Sequence, residues 1–140
     1  MDPRLSRLLN STVTAEDCLY RHSATKQPAR EFSAQRGHPV FHISLPSQSM
    51  SLSCGELAPG AMTSLHRHAY EALAYILEGS GYSELDGLQL PWQAGDAVYT
   101  PPWCWHRHVA SAGGRVRYLT TTNMPLPCRL GQTELREEAK

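Results

Sequence analysis

Two short histidine pairs carry the chemistry available to this sequence. His66 and His68 flank Arg67, and His106 and His108 repeat the spacing around Arg107. On an extended backbone residues two apart face the same side, so each pair presents two imidazoles together. A neutral imidazole is a common metal ligand and also gives or takes a proton near neutral pH. A lone His-x-His is a weak signal, because a surface strand can carry one without function. Imidazoles buried together without a metal, however, would leave polar nitrogens desolvated. The other titratable groups in the neighbourhood are Glu71 and Cys104. His22, His38 and His42 have no partner evident from their positions.

The elements that must hold these pairs read as short strands. Val40–Leu45 alternates with Phe41, Ile43 and Leu45 on one face, and Pro46 ends it. Met50–Leu57 follows, closed by Ala58-Pro59-Gly60. Ala72–Leu77 is apolar on both faces, the pattern of a strand covered on both sides. Tyr82–Leu85 runs into Asp86-Gly87, a tight-hairpin signal, and Leu88–Trp92 returns from it. Ala97–Thr100, Trp105–Ala110 and Arg115–Thr121 complete about eight strands with Gly, Pro and Asp at the turns. The pattern predicts an all-β barrel or sandwich with almost no helix. Residues 1–37 read as an N-terminal arm, with one or two helical turns over Asp2–Leu9. Residues 38–122 form the barrel, and 123–140 a charged, partly disordered tail.

Composition narrows the partners. The chain has 140 residues, enough for one core, with 13 Lys+Arg against 13 Asp+Glu. Balanced charge argues against nucleic acid or an anionic membrane as partner. No apolar run reaches the length of a membrane span, and the opening residues lack the apolar stretch of a secretory signal, so a cytoplasmic location is expected. Cys18, Cys54, Cys104 and Cys128 form no C-x-x-C pair and are expected as free thiols. The doubly apolar strand predicts a homodimer with Leu73, Tyr75 and Leu77 at the contact.

The spacing around the histidines resembles both motifs of the cupin superfamily. Gly60, His66, His68 and Gly79 match the first, and Gly95, Pro101 and His106 the second, over about residues 38–122. The resemblance implies a single cupin, a jelly-roll-like β-barrel with a short N-terminal arm. It departs from the family pattern at three positions. Ala72 stands where the family has a metal-binding Glu, Trp103 replaces a Gly, and Ala110 replaces an Asn. Glu71 is one residue off and falls on the other strand face, unless the loop after His68 shifts the register.

The missing Glu and the run Thr100-Pro101-Pro102-Trp103-Cys104-Trp105-His106-Arg107-His108 are similar to the gentisate 1,2-dioxygenase and salicylate dioxygenase group. That resemblance implies one divalent metal ion, Fe(II), on His66, His68 and His106. Zn, Ni, Mn and Cu suit the same donors. It implies His108 as a catalytic residue, with Trp103 and Trp105 as substrate-binding residues stacking an aromatic ring or simply packing. Three neutral imidazoles leave such a centre formally 2+, which suits a small hydroxylated aromatic acid and O₂. Two other classes stay open, a non-catalytic small-molecule-binding or sensing cupin and a metal-dependent isomerase or lyase.

Overall fold

A computed structural model describes residues 28–43 and 45–140. The helical turns expected over Asp2–Leu9, and Cys18, lie outside those residues. Among the described residues ten strands and two short helices follow in order: α1 (Arg30–Arg36), β1 (Val40–Ile43), β2 (Ser51–Leu57), β3 (His66–His68), β4 (Ala72–Glu78), β5 (Ser80–Leu85), β6 (Leu88–Gln93), β7 (Ala97–Thr100), β8 (His106–Ala110), β9 (Val116–Thr122), α2 (Pro125–Arg129) and β10 (Arg136–Glu138). They make two five-stranded antiparallel sheets, ordered β1-β2-β9-β4-β7 and β10-β3-β8-β5-β6. The expected β-barrel architecture is present.

The sheets face each other across Leu57, Ala74, Ile76, Trp92, Val98, Ala110, Val116 and Tyr118. Strand β4 shows why. Ala74 and Ile76 point into this core, while Leu73, Tyr75 and Leu77 point outward and are 49, 47 and 47% exposed. The strand expected to be covered on both faces is thus covered on one within a single chain. Between β5 and β6 the chain reverses at Asp86 (φ 46°) and Gly87 (φ 84°). Two consecutive left-handed residues are what a two-residue hairpin matching the sheet twist requires.

Two segments differ from the sequence reading. The arm contains α1, with Glu31 in its first turn, Arg36 in its last and Gly37 in the left-handed region at its C-cap. Those end charges and the glycine favour a helix stop there. The tail contains α2 and then β10, which pairs antiparallel with β3 along Arg136↔His68, Glu137↔Arg67 and Glu138↔His66. A polar segment forms a strand because it satisfies the free edge of β3.

Candidate metal centre

The three predicted ligands meet through strand register. His66 of β3 stands directly opposite His106 of β8. Facing residues in an antiparallel pair share a face, and His68 two positions along β3 shares it too. The ring centroids of His66 and His106 are 4.1 Å apart, and those of His68 and His106 4.7 Å. One nitrogen from each of the three imidazoles lies within 4.8 Å of the other two, and all three residues are buried.

The backbone fixes which nitrogen is offered. His66 Nδ1 lies 2.8 Å from the Ser64 carbonyl, His68 Nδ1 2.6 Å from that of Tyr70, and His106 Nδ1 2.9 Å from that of Cys104. A carbonyl oxygen only accepts, so each Nδ1 carries the proton and each Nε2 keeps its lone pair. This is the orienting hydrogen bond that metal-binding histidines usually make. Burial, followed by the nearby His106, pushes His66 down to about 2 and His68 down to about 4. Burial likewise lowers His106. The set is therefore three neutral nitrogen donors at neutral pH, the protonation state that metal coordination requires. These residues fit one divalent metal ion.

The imidazoles lie on a cavity of about 100 Å³ whose lining also includes Tyr70, Ala72, His108, Tyr118, Arg36 and Arg136. Ala72 lines it with a methyl group where a carboxylate ligand would otherwise sit. Glu71 points elsewhere, accepting hydrogen bonds from Tyr99 Oη at 3.0 Å and, through its backbone N–H, donating to Asn123. It is not part of the donor cluster: it immediately precedes β4, one residue from Ala72, and a one-residue offset turns a side chain the other way.

His108 lines the same cavity beside the ligands, 5.7 Å from His106 between ring centroids. Its Nδ1 lies 2.8 Å from Ser83 Oγ, which also accepts the indole N–H of Trp92 at 2.8 Å. Ser83 is fully buried, and among the described residues His108 Nδ1 is the acceptor within reach of its hydroxyl proton. The hydroxyl therefore donates to Nδ1, and His108 carries its own proton on Nε2. Burial, then the neighbouring His106, pushes His108 down to about 3. Its place on β8 is held by Thr63, just before β3, whose hydroxyl accepts the His108 N–H at 2.9 Å.

Of the two uses open to Trp103 and Trp105 in sequence, stacking a ligand ring or packing, the contacts described are packing ones. Neither lines the cavity. The guanidinium of Arg67 lies over both rings, 5.5 Å from Trp103 and 4.7 Å from Trp105. Arg67 alternates with the two ligand histidines on β3, so what it touches lies on the other side of the sheet. Arg115 and Arg117 pair with Glu78 and Glu56. Cys54, Cys104 and Cys128 are free thiols.

Three groups escaped the sequence reading. Tyr70 stacks flat on His68, with centroids 4.1 Å apart. His38 donates from Nδ1 to the Arg36 carbonyl and accepts from Tyr118 Oη at 2.6 Å, anchoring a cavity wall. Tyr118 fits there because residue 55 is glycine, where a Cβ would run into its ring. Arg136 enters from β10. The only advance signal was Tyr70 following the His-x-His pair.

Among the described residues no helix is long and apolar enough to cross a membrane. Residues 55–122 match the Cupin_2 family, a cupin domain. A gentisate 1,2-dioxygenase from Ralstonia sp is 35% identical over 94 residues, which is 66% of this chain and 26% of that protein. Gentisate 1,2 dioxygenase 1 from Aquipseudomonas alcaligenes is 34% identical over 71 residues, 50% of this chain and 20% of that protein. The salicylate 1,2-dioxygenase of Pseudaminobacter salicylatoxidans superposes with a TM-score of 0.68 at 17% identity, over 99% of this chain and 48% of that one. A cupin-2 domain from Rhodospirillum rubrum superposes with a TM-score of 0.64 at 21% identity, over 86% of this chain and 84% of that one. The chain thus spans about half the length of the salicylate dioxygenase, and its matches take in about a quarter or less of the gentisate dioxygenases. Fold, motifs and donor set agree: residues 55–122 of this chain form a cupin domain, similar in sequence to the gentisate dioxygenases.

Proposed function

We propose that this cupin is an Fe(II)-dependent dioxygenase-like protein acting on a small hydroxylated aromatic acid. The observation that carries the reading is the donor set: three buried imidazoles, each with Nδ1–H tied to a carbonyl and Nε2 left free. A ferrous ion held there would supply open coordination positions for an acid chelate and for O₂. The similarity to gentisate dioxygenases and the absence of a fourth carboxylate donor among the described residues support the same choice.

The chain's own residues define the rest. Neutral ligands leave the centre its full 2+ charge, and Ala72 adds none back, so an anionic chelating ligand is favoured. His108 presents Nε2–H as a hydrogen-bond donor for a substrate oxygen and, with its pKa pushed down, stays neutral while doing so. The cavity volume restricts the ligand to a small molecule, below the roughly 300–1,000 Å³ of drug-sized sites. The protein works in the cytoplasm as a homodimer in this reading.

The test is anaerobic reconstitution with Fe(II), then oxygen-electrode assays across gentisate, salicylate, catechols and simple diketones. Uptake with a hydroxylated aromatic acid is expected. Uptake no greater than that of the metal-free control would leave binding, sensing or isomerase chemistry ahead.

A further inference from the structure

The cavity has a charged end that the donor set does not explain. Arg136 of β10 stands directly across from His68 of β3, so its side chain shares the face that carries the three imidazoles. It lines the cavity together with Arg36 of α1. Among the described residues the lining holds these two arginines and no Asp or Glu. Strand β10 lies beyond the region matched by the cupin family, residues 55–122.

The guanidinium of Arg136 is only half satisfied. Its Nε and Nη2 both donate to Glu138 Oε1, at 2.7 and 2.6 Å. Its Nη1 is buried and has no acceptor among the described residues. Buried donors of a charged group are rarely left unpaired, because the lost hydration is not returned. Burial and then the nearby Arg36 depress the Arg136 pKa, with Glu138 acting against them. Glu138 offsets one of the two positive charges, and the guanidinium edge it leaves open matches a carboxylate.

We propose that Arg136, with Arg36 beside it, binds the carboxylate of the ligand and makes the site selective for small acids over their uncharged analogues. This deepens the reading of the cavity as a substrate site and rests on it. Arg136 acts here as a specificity residue, and the neutral His108 and the metal ligands have other tasks.

The test uses the full chain loaded with Zn(II), which is redox-inert and separates binding from turnover. Gentisate and hydroquinone, the same ring without its carboxylate, are titrated calorimetrically against wild type, Arg136→Gln and Arg136→Lys. Wild type is expected to prefer gentisate at least tenfold. Arg136→Gln should weaken gentisate about 10- to 100-fold, keep hydroquinone within twofold and keep its zinc by elemental analysis. Arg136→Lys, retaining charge without the fork, should recover part of the loss. Equal gentisate affinity in wild type and a zinc-loaded Arg136→Gln overturns the proposal. If Arg136→Gln does not fold, wild type failing to discriminate between the two ligands overturns it as well. Oxygen uptake by the Fe(II) form on catechol but on no acid would sink the carboxylate subsite and keep the oxygenase reading. Tight, Arg136-dependent gentisate binding without uptake would do the reverse.

Discussion

Tyr70 holds His68 in two ways at once: its ring lies parallel to the imidazole within 3°, and its own carbonyl accepts the imidazole Nδ1–H at 2.6 Å. One residue thereby sets both the tilt and the tautomer of a ligand. Tyr70→Ala keeps the carbonyl but removes the stack, and should weaken metal binding about tenfold, as loss of a ligand-orienting contact does. Tyr70→Phe should bind metal like wild type. Competition with a chromophoric chelator measures both.

The donor set itself predicts one divalent ion per chain. His66→Ala or His106→Ala should abolish binding, and a double variant retaining full occupancy by elemental analysis would contradict the site. Ala72→Glu should keep the metal, since position 72 lines the cavity. It should also lower the formal charge of the centre and weaken acidic ligands relative to neutral ones.

Acid should destabilise the metal-free protein. His66, His68, His106 and His108 all have folded pKa values below their ordinary 6.5. Between those values and 6.5 the unfolded chain binds more protons, so stability rises with pH and is complete above 6.5. Each group contributes up to about 1.4 kcal/mol per pH unit on that slope. The melting temperature in chelator should fall from pH 6.5 toward pH 4 and stay flat from pH 7 to 8. His108→Gln should shallow the slope.

Ser83 ties the proton position of His108 to Trp92. Ser83→Ala leaves two buried polar atoms without their partner, and should cost about 1–3 kcal/mol in urea unfolding while retaining metal. His108→Ala should also keep the metal, and slow any oxygen uptake without changing metal content.

The outer face of β4 predicts the assembly. Leu73, Tyr75 and Leu77 form an exposed apolar row, with Tyr99 of β7 directly opposite Leu73. A homodimer through this face should give twice the chain mass by light scattering, and Tyr75→Arg should return it to the monomer. A monomeric wild type at micromolar concentration would count against it.

The barrel was legible because its strands alternate and its turns carry Asp-Gly, Gly-Gly and Pro-Gly steps. The ligands were legible because His-x-His spacing survives translation into a strand face. The register that brings His106 opposite His66 was not, since pairing across forty residues leaves no local mark. Strand β10 looks like tail in sequence because Arg136-Glu137-Glu138 has no apolar alternation. It forms a strand only because β3 offers it an edge, and edges belong to the assembled sheet. Trp103 and Trp105 stay open in sequence between stacking a ligand ring and packing, because closeness to His106 along the chain does not say which side of the sheet they take. Both lie under the Arg67 guanidinium and outside the cavity lining.

The oxygens that orient the three ligand rings belong to the main chain of residues 64, 70 and 104. No exchange of side chain at those positions can delete them. The walls of the cavity, by contrast, are side chains from the arm, from β4 and β9 and from β10. Wall residues other than Tyr70 can therefore be exchanged one at a time while the three oxygens that set the tautomers stay where they are.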